Sequence, residues 1–204
     1  MSGLLAAIAG RAYGKPGLIS RCCRLVMDAV NEPMYQHVLS VVSLNKDSCM
    51  LDVGFGDGRL ISRLFLRFHP MIYGIDLSPD MKRAAEARCA SAKRAGKLRL
   101  SVGSVCRLPY ADDSFDCVTS VNSICFWEDT MEGLRQVRRV LKKGACFCSV
   151  VYTRQWLEQL GAVQAGVRLF DREDYIRDGK EAGFSSVYTE EIAPDRSFAV
   201  VYIK

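Results

Sequence analysis

Three glycines at alternate positions, Gly54, Gly56 and Gly58 in LDVGFGDGRL (51–60), stand between a short apolar run and an amphipathic segment. The run CMLDV (49–53) shows no alternation of polar and apolar residues, as expected of a strand buried on both faces. A bend of residues without Cβ then leads into GRLISRLFLRF (58–68), where apolar residues recur at helical spacing. Strand, tight bend and helix in succession open an α/β unit, and such sheets bind ligands beyond the carboxyl ends of their strands.

The alternation continues along the chain. MIYGID (71–76) predicts a strand, and SPDMKRAAEARCASAKRAG (78–96) a helix capped by Ser78 with Pro79 in its first turn. KLRLSVG (97–103) and FDCVTSVNS (115–123) predict two more strands, TMEGLRQVRRVLKK (130–143) a helix, and GACFCSVVY (144–152) a fifth strand. After a helical stretch over DREDYIRDGKEAG (171–183), FSSVYTEEIA (184–193) and SFAVVYIK (197–204) are joined by PDR and predict a terminal hairpin. The expected fold is α/β: a Rossmann-like, seven-stranded, mostly parallel sheet with helices on both faces and an antiparallel C-terminal hairpin. Residues 17–42 carry apolar positions at helical spacing interrupted by Pro33, and read as two helices. The expected division is an N-terminal helical lid or preface at 1–46 and one main domain at 47–204.

Several functional classes are disfavoured by composition. The segment LLAAIAG (4–10) has no basic residue before it and is too short to span a bilayer, so a cytoplasmic protein without a membrane partner is expected. The nine cysteines are odd in number, and Cys49, Cys117, Cys146 and Cys148 sit in apolar runs, as reduced buried thiols do. Neither Cys146 with Cys148 nor Cys22 with Cys23 has the CxxC spacing of zinc or redox sites, so no metal is expected. The net charge of +5 comes partly from short groups such as Arg138, Arg139, Lys142 and Lys143, spaced as on a solvated helix face, which disfavours nucleic acid.

The bend itself restricts the ligand. A dinucleotide fingerprint would need a third glycine where Arg59 stands, and no GxxxxGK[ST] loop is present, so diphosphate binding is disfavoured. Asp52, two residues before Gly54, repels phosphate and favours a cation. Asp76 closes the second strand, where a carboxylate accepts ribose hydroxyls. A ribose, a positive charge and no diphosphate together describe S-adenosylmethionine.

On these residues the sequence resembles the class I S-adenosylmethionine-dependent methyltransferases, especially the small-molecule subgroup of ubiquinone and menaquinone biosynthesis. LDVGFGDG matches the family's DxGxGxG motif and GIDLSPDM (74–81) its second motif. GSVCRLPYADDSFDCV (103–118) is similar to GDAxxLPFxDxSFDxV, and VRRVLKKGACF (137–147) to the helix before strand five, so the resemblance covers 47–204. It implies that Gly54, Gly56 and Gly58 lie against the methionine end of the cofactor, with Asp52 near its ammonium and Asp76 on its ribose. Leu77 and Met81 would flank the adenine, Ser104 and Val105 would read its edge, and Tyr13 would close over the cofactor. Asn122 would line the methionine side and the acceptor pocket, or else cap a turn. Ser104 replaces the family's Asp, a loss of about 1 kcal/mol or more in cofactor binding.

Methyl transfer is an in-line displacement that needs alignment and exclusion of water, and a general base only where the acceptor must lose a proton. No catalytic residue is assigned. His69 falls on the wrong edge of the sheet, and His37 either reaches the pocket or faces solvent. Phe126 and Trp127 form an apolar acceptor wall or pack in the core. The (D/N)PP(Y/F) motif of nucleic-acid and protein amide methyltransferases is missing, since SICFW follows Asn122. The implied activity is methyl transfer from S-adenosylmethionine, leaving S-adenosylhomocysteine, to a small-molecule acceptor. The alternatives are a noncatalytic cofactor-binding or scaffold protein, and an RNA or protein methyltransferase.

Overall fold

The apolar runs pair into one sheet. The computed structural model describes residues 31–159 and 167–204. Its strands are β1 (Cys49–Val53), β2 (Met71–Asp76), β3 (Leu98–Val102), β4 (Phe115–Val121), β5 (Leu141–Tyr152), β6 (Ser186–Ala193) and β7 (Ser197–Ile203). They lie in the order β3-β2-β1-β4-β5-β7-β6. The first five are parallel, and β7 runs antiparallel between β5 and β6. Strand order reverses between β1 and β4, so the crevice beyond their carboxyl ends is the position where such sheets hold ligands.

Helices cover both faces, because strands buried on two sides alternate their side chains between two apolar layers. The described helices are residues 31–41 (α1), Arg59–Phe68 (α2), Pro79–Arg88 (α3), Ala90–Arg94 (α4), Thr130–Val140 (α5), Arg154–Gln159 (α6) and Arg172–Glu181 (α7). One layer joins Met50, Ile72, Cys117, Cys148 and Val150 to buried residues of α1 to α4. The other joins Leu51, Val118, Phe147, Val200 and Tyr202 to α5 and α7.

The chain is helical on both sides of Pro33, which therefore does not separate two helices here. Beyond it, Met34, Val38, Leu39 and Val42 are buried in the sheet's own core. The helix expected over 78–96 breaks at Cys89, whose thiol donates to the Gly58 carbonyl at 3.3 Å. The helix expected to reach Lys143 stops at Val140, and Leu141 already pairs with Phe115. Lys142 is drawn to Asp116 at 2.7 Å, which favours the ladder over another helical turn.

An aromatic stack ties α7 to the sheet. Trp127 lies over Phe147 with ring centres 6.1 Å apart, and Phe147 over Tyr202 at 5.2 Å. Gly179 of α7 rests on the same tyrosine: a Cβ there would stand 2.5 Å from Tyr202 Cε1 and 2.9 Å from Val187 Cγ2. Replacement of Gly179 by alanine is predicted to lower the unfolding free energy by about 1–3 kcal/mol, the usual cost of overpacking. Urea titration reads it, and an unchanged midpoint would show that the contact is looser than described.

Candidate active site

Each residue of the bend after β1 is fixed by a neighbour. Gly54, Gly56 and Gly58 take φ of 70°, 54° and 78°, a left-handed conformation that residues with a Cβ adopt at a cost. A Cβ on Gly54 would lie 2.3 Å from that of Ser123, and one on Gly58 would lie 2.8 Å from that of Ala85. Between them Phe55 is buried against Gly74 of β2, whose own Cβ would come within 2.7 Å of its ring. Asp57 is held by Arg88 at 2.6 Å. Packing thus dictates Gly54 and Gly58, while Gly56 is half-buried and turns its amide to the Asp76 carboxylate at 2.9 Å.

The two acidic residues differ in environment. Asp76 Oδ2 accepts from the Gly56 amide and Oδ1 from the Ser78 amide at 2.8 Å. Each carboxylate oxygen takes two hydrogen bonds or more, so both keep acceptor capacity for a vicinal diol. Asp52 lies beneath the bend, 2% exposed, and Oδ1 accepts from Thr119 Oγ1 at 2.8 Å. Burial lifts its pKa to about 7; the Thr119 bond opposes the rise and the Asp76 charge adds to it.

Apolar surface is uncovered at the same strand ends. Leu77, directly after Asp76, is 66% exposed, and Val102 at the end of β3 is 48% exposed. Met81 in the first turn of α3 is half-buried against the core. Ser104 caps a short 3-10 turn (Val105–Arg107) and accepts from the Cys106 amide at 3.2 Å, so part of its acceptor capacity is used within the chain. Val105 buries its side chain in the core, which leaves only its backbone to read an adenine edge.

Beyond β4, Asn122 takes φ of 54°. Its Nδ2 donates to Asn31 Oδ1 at 2.9 Å, and the Tyr152 hydroxyl donates to the same oxygen. Asn122 thus joins α1 to the ends of β4 and β5. Ser123 donates to the Val53 carbonyl at 3.0 Å, accepts from Trp127 Nε1 at 3.1 Å, and lies 2.6 Å from Ser120 Oγ. Trp127 is therefore buried core, whereas Phe126 is 60% exposed and free to wall an acceptor. His37 Nε2 meets Glu190 of β6 at 3.0 Å, and His69 caps α2 at the opposite edge of the sheet. Tyr13, Cys22 and Cys23 lie outside the described residues.

Sequence reasoning missed Ser123, Thr119, Asn31 and Tyr152. The only hint was the polar pair Thr119 and Ser120 in the largely apolar second half of β4.

Residues 51–149 match the family model described as a methyltransferase domain. The chain is 29% identical to the uncharacterized methyltransferase YdaC of Bacillus subtilis, over 79% of this chain and 85% of that protein. It is 31% identical to the chloroplastic 2-methyl-6-phytyl-1,4-hydroquinone methyltransferase of Spinacia oleracea, over 74% of this chain but only 43% of the spinach protein. The geranyl diphosphate C-methyltransferase of Streptomyces coelicolor, solved with S-adenosyl-L-homocysteine, superposes with a TM-score of 0.76. That match covers 94% of this chain and 88% of that one, and at 14% identity it speaks for the fold alone. The chain carries an S-adenosylmethionine-dependent methyltransferase domain.

The residues present in this methyltransferase fit that cofactor. A carboxylate with spare acceptor capacity suits the ribose, the uncovered Leu77 and Val102 suit the adenine, and the buried Asp52 has no positive neighbour among the described residues, a charge that the ammonium would supply. Without such a charge, folding keeps the Asp52 proton up to about pH 7, while the unfolded chain releases it near 3.8. The folded state binds more protons through that window, so this group subtracts stability as pH rises from about 4 to 7. Asp52→Asn is predicted to gain stability relative to the unmodified protein as pH is raised across it, by up to about 1.4 kcal/mol per pKa unit. Thermal unfolding of both proteins at pH 4 and pH 8 checks this, and a difference independent of pH would contradict it.

Proposed function

We propose that this methyltransferase carries the methyl group of S-adenosylmethionine to a small-molecule acceptor, with residues 47–204 as its catalytic domain and residues 1–46 as a preface to it, of which 1–30 lie outside the described residues. The observation that carries the reading is the Asp76 carboxylate, bonded by Gly56 on one side and followed by a largely uncovered Leu77 on the other. Asp76 takes the ribose hydroxyls, and Leu77, Met81 and Val102 give the adenine its apolar walls. Ser104 and the Val105 backbone stand at the adenine edge. Gly54 and Gly56 face the methionine end, and Asp52 acts through the bend as a buried counter-charge to the ammonium.

When bound, the cofactor supplies a methyl group on a sulfonium that is already a good leaving group. The chain has to hold the acceptor in line and keep water out. Phe126 offers an aromatic wall for an apolar acceptor, in keeping with the quinol named for the spinach relative. Asn122, fixed by Asn31, borders the acceptor side and restrains where it sits. Neither histidine is placed as a base: one is engaged by Glu190 and the other lies at the far edge.

An RNA acceptor is less well supported. Among the described residues Arg63, Arg88, Arg139, Arg154, Arg172 and Arg177 each pair with a carboxylate, which intersperses these cations with acids and does not gather them into one basic patch. No helix among the described residues is long and apolar enough to cross a membrane. The free thiols of the described cysteines suit a reducing cytoplasm.

Calorimetry with S-adenosylhomocysteine tests the cofactor site. Binding by the unmodified protein and at least about a tenfold loss in Gly56→Val are expected, because a β-branched residue at that φ distorts the bend. Methyl-labelled cofactor incubated with a metabolite extract or with total RNA tests the acceptor class. Label in the small-molecule fraction is expected. Label in RNA alone, or none in either, would overturn the proposal.

A further inference from the structure

Two thiols outside the cofactor site face each other on neighbouring strands. Cys117 of β4 and Cys146 of β5 are partners in the parallel ladder, with Sγ atoms 3.9 Å apart. Paired strands lie about 4.8 Å apart, within the Cα separation that a disulfide spans, and the bond itself is about 2.05 Å long. The sulfurs must therefore approach each other by roughly 2 Å. The movement falls beside an irregularity in the ladder. Its register breaks just before the pair, where residues 142–145 bulge opposite Asp116. Gly144 in that bulge takes φ of 75° with no neighbouring atom within 4 Å of its Cβ position.

The two sulfurs also differ in a way that sets an order of reaction. Cys146 is half-buried, and the hydrogen bond from Cys117 draws its thiol down to about 7 against the opposing effect of burial. Cys117 is buried, and the same hydrogen bond, followed by burial, pushes its thiol well above the ordinary range. The more exposed sulfur is thus the one that ionises more readily. Burial lifts the thiol of Cys89 to about 11 and that of Cys125 to about 12, which leaves both unreactive near neutral pH.

We propose that Cys146 and Cys117 form a peroxide-responsive pair that closes into a reversible disulfide between β4 and β5. The Cys146 thiolate attacks a hydroperoxide oxygen; the O–O bond breaks, an S–O bond forms, and hydroxide (or alkoxide) leaves and takes up a proton. The Cys117 thiol then displaces the hydroxyl of the resulting sulfenic acid, so that an S–S bond forms and water departs with the Cys117 proton. Each sulfur loses one electron and the peroxide gains two. A thiol reductant reverses the change by exchange. The inference does not depend on the reading of the cofactor site.

The full chain treated with a small excess of hydrogen peroxide, alkylated and digested without reduction, provides the test by mass spectrometry. A cross-linked peptide joining Cys117 to Cys146, lighter by two hydrogens and lost on dithiothreitol treatment, is expected. In Cys117→Ser the sulfenic acid should persist at Cys146 and be captured by dimedone, and in Cys146→Ser no dimedone adduct should form at Cys117. Cross-links to Cys49 or Cys148 instead, oxidation of Cys146 to the sulfinic acid with Cys117 still a free thiol, or no reaction at either residue would overturn the pairing.

Discussion

A carboxyl group buried without a positive partner is costly, and among the described residues Asp52 has none where it lies beneath the bend after β1. The Thr119 hydroxyl meets one oxygen at 2.8 Å, but a neutral donor offsets only part of the lost hydration. In the proposed reading, the cofactor's ammonium completes this environment from the side of the bend. The glycines, Ser123 and the Asp57 to Arg88 pair can then be understood as means of holding the backbone over that carboxyl in one shape. A site fixed before its ligand arrives loses less entropy on binding.

The neighbouring acid has the complementary environment. Asp76 is half-buried, and two backbone amides, from Gly56 and Ser78, fix the orientation of its carboxylate. The Gly56 amide couples the bend to the end of β2, so a ligand spanning both meets one rigid edge. Leu77 and Val102 beside it, and Phe126 after β4, leave apolar surface uncovered. Ser104 is the weak point of the arrangement, because its hydroxyl already serves the turn that it caps.

Much of this was legible in the chain. The bounds of β1 and β2 follow from apolar runs that end in a glycine bend or an acid, and the left-handed glycines follow from their spacing. Local pattern could not reveal what distant residues impose. Cys89 ends a helix because its thiol finds Gly58 thirty-one residues earlier. Lys142 leaves its helix because Asp116 lies on the neighbouring strand. Trp127 and Phe126 are adjacent aromatics in sequence, yet Trp127 stacks on Phe147 of β5, twenty residues on, and is buried, while Phe126 stays exposed. Asn31 and Tyr152, 121 residues apart, share one hydrogen bond that no periodicity announces.

Amide NMR of isotope-labelled protein titrated with S-adenosylhomocysteine examines the placement of the ligand directly. Shifts at Gly54, Gly56, Asp76, Leu77 and Ser78 are predicted, with the Gly56 amide among the largest because it hydrogen-bonds the Asp76 carboxylate. Perturbations confined to the opposite edge of the sheet, around Lys46, His69 and Lys97, would contradict a cofactor seated between the bend and the second acid.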